Sequence, residues 1–381
     1  MRNSFARGPI SGILVRPEER PLGRLSNVRW SLLLVALMLS VVGAATVHSA
    51  SAEMPIDYLP RQAAWVGIGL LLLFVALSVD HQRLASFALP LYMASLALLG
   101  LVLVVGQVRG GSRGWFGLGA FAVQPSELAK FTTALMLARY LAGVEGEHLK
   151  LRQIAVAVLI VAAPVALVAI QPDLGGAAMY APMLGAMLLV AGIKKRLLAV
   201  SLLLAVVGGG LAWTYGMQPY QRDRILTFLS PETDPQGAGY QVRQSKIAVG
   251  SGELLGKGYR QGTQSQLRFL PARHTDFIFA VLAEEWGFLG VAFVLGLYGV
   301  FLFGAAEVAV RARDRLGILL VVGLLATLGF HILYNSAMVV GLVPITGIPL
   351  PFLSYGGSFT MYAFAATGVF LGVDYRRYVN R

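Results

Sequence analysis

Asp276 is the side chain whose place in the sequence best suits acid–base chemistry. It stands at the end of a long polar stretch, just before an uncharged run over residues 286–306 that is long enough to cross a bilayer by itself. Residues 276–285 are therefore predicted to form a short re-entrant or interfacial segment. A carboxylate there is partly desolvated and can reach a lipid-linked headgroup, where a general base contributes about 10²–10⁴ in rate. Helix capping is the alternative role.

Other polar side chains stand within or beside apolar runs, where an ionisable group costs roughly 2.5–3.5 kcal/mol at the bilayer centre. Glu127 and Lys130 are three residues apart, a spacing that predicts either a mutual ion pair or a direct role in a site. Asp173 follows a proline, so it either caps the next helix or belongs to the site. His331 and Asn335 are four residues apart and are predicted to form hydrogen bonds between helices.

Segments rich in proline, glycine and polar residues interrupt the apolar runs at four places. Irregular backbone is tolerated at membrane depth only where protein or a water-filled cavity covers it, so such segments mark where a site can be enclosed. They cover residues 124–127, 171–176, 270–285 and 344–357. The topology predicted below places all four at the outer face, which favours a site open to the periplasm.

The composition is typical of a membrane protein. Hydrophobic residues make up 56% of the 381 residues and charged residues 13%, whereas soluble domains have roughly 45–50% and 25%. Cysteine is absent and the five histidines are scattered, so we expect neither disulfides nor a metal site built on His or Cys. We predict an all-α, polytopic integral membrane protein with no separate soluble domain.

Ten apolar runs are predicted to cross the membrane, between terminal tails over residues 1–29 and 374–381. The runs cover residues 30–47, 64–79, 87–106, 128–144, 153–170, 174–193, 197–215, 286–306, 316–340 and 357–373. An even number places both termini on one side, and Lys and Arg are concentrated in the tails and in the loops of that side. The short loops opposite carry only Arg61, Arg109 and Arg113. Both termini are therefore predicted to be cytoplasmic.

Residues 216–275 form one long polar loop, which this topology places outside. The loop carries eight basic and four acidic side chains, an excess that the topology does not require. Anionic lipid headgroups would attract it, and so would an anionic substrate such as a lipid diphosphate. Much of the chain's net charge of +12 follows from the topology, so nucleic-acid binding is not needed to explain it.

Five motifs resemble those of the SEDS family of cell-wall glycosyltransferases. Residues 270–279 (LPARHTDFIF) resemble the loop that is the hallmark of the family. Residues 112–115 (SRGW) and 124–130 (QPSELAK) resemble its first large outer loop, residues 171–175 (QPDLG) the next one, and residues 347–357 (GIPLPFLSYGG) the last. Order, spacing and helix count agree over nearly the whole chain. The residues around Asp276 are closer to the elongation branch of the family than to its division branch.

The resemblance implies an enzyme of the bacterial inner membrane that polymerises lipid II at the periplasmic side and releases undecaprenyl diphosphate. Asp276 would take the proton from the acceptor hydroxyl that attacks the donor sugar. Arg224, Lys246 and Lys257 would stabilise the departing diphosphate, with a divalent cation, Mg²⁺ or Mn²⁺, as a further candidate.

The resemblance also implies further binding residues and partners. The residues are Trp115, Glu127, Lys130, Asp173, His274, Thr275, Ser354 and Tyr355. The partners are the nascent glycan strand, a class B penicillin-binding protein that supplies the transpeptidase, and other membrane proteins of the elongation complex.

Two other functions fit parts of the sequence. A lipid II flippase or transporter would also have many helices with broken segments, but it needs access from both faces. Here the broken segments cluster on the predicted outer side, which favours an enzyme. A non-enzymatic scaffold for cell-wall proteins would leave Asp276 dispensable.

Overall fold

The computed structural model describes residues 28–52, 54–109, 111–118, 121–211, 214, 219–230, 232, 234 and 237–379. Helices dominate it. They are α1 (Trp30–Ala50), α2 (Leu59–Ser78), α3 (His81–Ser86), α4 (Ala88–Val105), α5 (Pro125–Ala142), α6 (Leu151–Ile170), α7 (Leu174–Ala178), α8 (Tyr180–Ala191), α9 (Lys195–Leu211), α10 (Pro219–Leu229), α11 (Ala238–Ser251), α12 (Thr263–Gln266), α13 (Ile278–Arg311), α14 (Arg315–Val339) and α15 (Gly357–Val379).

A helix overlaps each of the ten predicted spans, and for the span 197–215 the described helix ends at Leu211. Within the described ranges, seven of them are long and apolar enough to cross a membrane: α1, α2, α4, α6, the joined pair α7–α8, α13 and α14. The other three predicted spans coincide with α5, α9 and α15. Helix α5 contains Glu127, Lys130 and Arg139, which lower its hydropathy. The chain is thus a multi-pass helical membrane protein.

A small antiparallel sheet, which the sequence analysis did not predict, joins α4 to α5. Strand β1 (Gln107–Arg109) pairs with β2 (Ser112–Leu118), which pairs with β3 (Phe121–Val123). Gly111 takes a φ of +84° in the tight turn between the first two strands, a conformation that glycine adopts without strain. Strands this short and rich in glycine carry too little alternation of polar and apolar residues to be recognised in the sequence.

The stretch 216–275, predicted as one polar loop, contains the helices α10, α11 and α12 within its described residues. Helix α11 buries Val242, Ser245 and Ala248 on one face, and the Ser245 hydroxyl donates to the Val339 carbonyl at the end of α14 (2.7 Å). Serine and alanine take part in this buried face, so its apolar pattern is weak. The helix is therefore hard to recognise without the neighbour that it packs against.

Helix α13 is broken at Gly287, which has φ +65° and ψ −165°. The break divides a short, buried first part from a long apolar second part. It lies next to the predicted boundary between residues 276–285 and the membrane span. A loop replaces the lost helical hydrogen bonds: Phe288 N–H donates to the Glu253 carbonyl (2.8 Å), and Lys257 N–H donates to the Glu284 carbonyl (3.0 Å). A Cβ at Gly287 would lie 2.3 Å from the Gly256 nitrogen, so only glycine fits there.

The last loop, residues 340–356, inserts between helices instead of passing over them. Phe352 packs edge-on against Phe301 of α13 and Phe364 of α15, and the Tyr298 hydroxyl donates to the Pro351 carbonyl (2.5 Å). A Cβ at Gly43 in α1 would lie 2.6 Å from the Leu353 Cα. Protein therefore covers this irregular backbone, as membrane depth requires.

Polar contacts tie the helices together at the opposite end of the bundle. The Asp314 carboxylate lies 2.7 Å from Nε2 of the buried His81, and the Arg29 N–H donates to Asp374 near the end of α15 (3.0 Å). The first and last parts of the described chain thus meet at one end. That arrangement agrees with two termini on the same side of a membrane.

Candidate active site

Asp276 lies in the turn that precedes α13 and is held there through its backbone. Asn335 of α14 donates through Nδ2 to the Asp276 carbonyl (2.9 Å) and to the Ile348 carbonyl (2.7 Å). The buried Ser354 hydroxyl donates to the Thr275 carbonyl and accepts from the Leu350 N–H, both at 2.8 Å. The two motif loops, 270–277 and 344–356, therefore form one hydrogen-bonded unit. The Asp276 carboxyl takes part in none of these hydrogen bonds.

Three aromatic rings cover the other side of this unit. His274 lies 4.7 Å from the Tyr58 ring and 5.9 Å from the Tyr355 ring, centroid to centroid, and the Tyr355 N–H donates to the His274 carbonyl (3.0 Å). Burial, with a smaller contribution from Arg273, lowers the pKa of His274 to about 4. The imidazole is thus neutral at physiological pH and packs tilted against the two tyrosine rings.

Arg273 is the anchor of this loop, and the sequence analysis did not single it out. Its side chain is buried; Nε donates to the Ala50 carbonyl at the end of α1 (2.6 Å), and Nη1 donates to the Ser265 carbonyl. Among several basic residues of the same polar stretch, nothing in the sequence marks this one as buried. Its contacts fix the turn that carries Asp276 to α1 and α12.

The pKa of Asp276 is raised to about 6 because burial disfavours the charged carboxylate. A hydrogen bond from Thr275 and the positive charge of Arg224 on α10 act in the opposite direction and are smaller. A carboxyl that titrates near neutrality can accept a proton and release it again, which is what a general base requires. Arg224 is thus the basic residue of the polar stretch whose charge lowers the pKa of the Asp276 carboxyl.

Asp173, at the start of α7, and Gln124, at the start of α5, form a second polar group beside the last loop. Asp173 caps α7 by accepting from the Gly176 N–H (2.8 Å), and it also accepts from Gln124 Nε2 (3.1 Å). A Cβ at Gly175 would lie 2.6 Å from the Thr346 carbonyl, and one at Gly347 would lie 3.6 Å from the Asp276 carboxylate. The capping role of Asp173 is therefore confirmed, and the cap packs against the loop that borders Asp276.

Glu127 and Lys130 form the predicted ion pair, with 2.8 Å between Lys130 Nζ and Glu127 Oε2. The Lys130 side chain is 1% exposed and also lies 3.2 Å from Nε2 of His331, whose Nδ1 lies 3.1 Å from the Pro349 carbonyl. The Phe359 ring stacks on His331 and lies 5.3 Å from Lys130 Nζ. The pair thus links α5 to α14 and to the last loop.

Three other predicted binding residues have contacts of their own. Lys257 forms an ion pair with the fully buried Glu284 (2.8 Å), which gives it a structural partner. Lys246 lies along α11 with its side chain against Gly341. Trp115 lies in β2, opposite Gln107, and its neighbour Gly114 faces Gln171. Their binding roles remain predictions.

The described residues offer no group of three His, Cys, Asp or Glu side chains that could hold a metal ion. The mechanism proposed below uses no step through such an ion.

Replacing Asn335 with leucine tests how the Asp276 turn is held. The change leaves the Asp276 and Ile348 carbonyls without a donor, so we expect the free energy of unfolding to fall by about 1–3 kcal/mol and catalysis to fall with the carboxyl still present. Thermal unfolding in detergent and an activity assay measure the two effects. Ser336→Ala is the matched control, because the Ser336 hydroxyl has no hydrogen-bond partner. Equal behaviour of the two variants would contradict the positioning role.

These features define a class: a multi-pass membrane protein in which two irregular loops, inserted among the helices at one end, enclose a carboxyl of raised pKa. The model of the family described as "Cell cycle protein" (FtsW/RodA/SpoVE) matches residues 26–379. The chain belongs to this family, the SEDS family.

Similar proteins cover almost the whole chain. Peptidoglycan glycosyltransferase MrdB of Escherichia coli is 38% identical over 91% of this chain and 93% of its own length. Peptidoglycan glycosyltransferase RodA of Treponema pallidum is 32% identical over 93% and 99%. Stage V sporulation protein E of Bacillus subtilis is 37% identical over 91% and 97%.

Solved structures agree with the fold. One, described as "Structural coordination of polymerization and crosslinking by a peptidoglycan synthase complex", contains a chain with a TM-score of 0.80 and 36% identity, covering 92% of this chain and 98% of that one. The rod shape determining protein RodA of Thermus thermophilus has a TM-score of 0.69 and 32% identity, with the same coverage.

Proposed function

We propose that the protein is a peptidoglycan glycosyltransferase of cell elongation, which polymerises lipid II into glycan strands with Asp276 as the general base. The observation that carries the proposal is the position of Asp276: a half-buried carboxyl with a pKa near 6, on a turn fixed by backbone hydrogen bonds that leave the carboxyl to the substrate. Membership of the family and the names of the MrdB and RodA relatives support the reaction type.

In the proposed reaction, Asp276 takes the proton of the 4-hydroxyl of the acceptor GlcNAc. That oxygen forms a bond to C1 of the donor MurNAc, from the side opposite the diphosphate, while the bond from C1 to the diphosphate oxygen breaks. One displacement therefore converts an α linkage into a β linkage. Negative charge moves onto the departing undecaprenyl diphosphate, which Arg224 would stabilise; the support for this role is the effect of the Arg224 charge on the pKa of Asp276.

The proposed topology has ten crossings, with both tails in the cytoplasm and the Asp276 site facing the periplasm. Two observations support it. A helix overlaps each of the ten apolar runs, and the described ends of the chain meet at the end of the bundle away from Asp276. On this topology the proposed base meets a headgroup that has already crossed the inner membrane.

The proposed partner is a class B penicillin-binding protein, which would cross-link the strands that this chain makes. The support is the similar chain that occurs in a peptidoglycan synthase complex, for which coordination of polymerisation and cross-linking is stated. Other membrane proteins of the elongation complex, and the nascent strand, are the further proposed contacts.

A reconstitution separates this proposal from a flippase. The purified full chain and its cognate transpeptidase are incorporated into liposomes with fluorescent lipid II, and glycan strands are analysed on gels while translocated label is measured by quenching. We expect strands of many disaccharides to form. Translocation of labelled lipid II without strand formation would favour the flippase and overturn the proposal.

A further inference from the structure

A groove opens on the side of α13 at its break, away from the Asp276 turn. Its volume is about 420 Å³, and it lies between the second part of α13 and the loop that pairs with the break. The lining residues are Leu255, Tyr259, Glu285, Trp286, Leu289, Gly290 and Phe293. The proposed glycosyl transfer uses none of them.

In the described part of the chain, the buried Glu285 carboxyl has no cationic side chain as a salt-bridge partner. The residue is 2% exposed; Oε1 accepts from the Ser49 hydroxyl (2.5 Å) and weakly from Gln266 Nε2 (3.5 Å), and the backbone N–H of Arg260 also donates to the carboxyl. The charged group that acts on it is another carboxylate, Glu284, which already has Lys257 as its partner. Burying a carboxylate without a cation is costly, so a cation bound beside Glu285 would be stabilised there.

Two aromatic residues complete the polar end of the groove. The Trp286 Nε1–H is buried and has no acceptor, so it is free to donate to an anionic oxygen. The rings of Trp286 and Tyr259 line the groove together with Glu285. A carboxylate beside aromatic rings is the usual recognition site for an ammonium group. One ligand with both an ammonium and a phosphate would satisfy the carboxylate and the indole at once.

The remaining lining is apolar and lies farther along the same helix. Leu289 and Phe293 follow Trp286 by three and seven residues, so they continue the same face of α13 toward the middle of the apolar span. Their side chains are 57% and 48% exposed, which suits contact with an acyl chain.

We propose that this groove binds a phospholipid with a primary ammonium headgroup, such as phosphatidylethanolamine. The ammonium pairs with Glu285, the phosphate accepts from Trp286, and one acyl chain lies along Leu289 and Phe293. A lipid-linked diphosphate is a poor occupant, because it brings negative charge and no cation to Glu285.

Lipid retention tests this proposal. The full chain is purified from bilayers of equal phosphatidylethanolamine and phosphatidylglycerol, and bound lipid is counted by native mass spectrometry. We expect preferential retention of phosphatidylethanolamine, reduced about tenfold in Glu285→Gln, which removes the charge but keeps the shape. Glu253→Gln, which removes an exposed carboxylate from the paired loop, should retain as much as wild type. Equal retention by Glu285→Gln, or a preference for phosphatidylglycerol, would overturn the proposal.

A second measurement does not depend on the folding of Glu285→Gln. Short-chain phosphatidylethanolamine is added to wild type and to Trp286→Phe, and the difference in tryptophan emission reports Trp286 alone among the five tryptophans. We expect this difference signal to saturate with phosphatidylethanolamine and to stay constant with phosphatidylglycerol. A difference signal that responds to neither lipid, or equally to both, would overturn the proposal.

Discussion

Asp276→Asn is expected to lower the rate of glycan strand formation by about 10²–10⁴-fold, because asparagine cannot accept the proton of the attacking hydroxyl. The protein should accumulate and unfold as wild type does, since the turn is held by the Asp276 and Thr275 carbonyls and not by the carboxyl. Polymerisation of lipid II and thermal unfolding in detergent are the two measurements.

Asp223→Asn provides the matched control for this experiment. Asp223 is an exposed acid on α10, next to Arg224, and its replacement removes the same charge from the same polar stretch. We expect polymerisation close to wild type from this variant. A near-normal rate from Asp276→Asn would refute the assignment of the base, whatever the control shows.

Lys130→Met is expected to lower the free energy of unfolding by about 3–5 kcal/mol. The change leaves the buried Glu127 carboxylate without its cation and removes the contact between Lys130 and His331. Unfolding in mixed micelles with increasing SDS measures it. Lys195→Met, at an exposed position, should change the same free energy by less than about 0.5 kcal/mol.

The charge-swapped double variant, Glu127→Lys with Lys130→Glu, distinguishes a structural pair from a direct role in catalysis. A structural pair predicts partial recovery of the lost free energy together with activity. A protein that folds as stably as wild type but makes no strands would instead show that one of the two side chains contacts substrate. If Lys130→Met alone unfolds like wild type, the ion pair does not stabilise the fold.

Much of the framework could be predicted from local sequence, because each span needs only length and hydropathy to be recognised. Asp276 was recognisable for a related reason, since it is an acid at the border between a polar stretch and a span. The ion pair of Glu127 with Lys130 and the helix cap by Asp173 could each be predicted as one of two alternatives, because ion pairs and caps depend on spacing within one helix.

Contacts between distant segments could not be predicted in this way. Arg273 is buried through the carbonyls of Ala50 and Ser265, and no pattern near it signals this burial. Asn335, predicted to bond between helices, donates to two loop carbonyls, because the loops enter the space that a neighbouring helix would fill. Lys257, selected only as a base of the polar stretch, pairs with Glu284 across the break in α13. Each of these depends on where irregular backbone enters the bundle.

The pH dependence of polymerisation at limiting lipid II tests the central claim most directly, because it reports the protonation of the base in the free enzyme. Asp276 accepts a proton only as the carboxylate, and its pKa is raised to about 6. The rate should therefore fall about tenfold per pH unit below that value and be constant above it. His274, whose pKa is lowered to about 4, stays neutral in this range. A rate that is independent of pH between about 5 and 7 would show that Asp276 is not the proton acceptor.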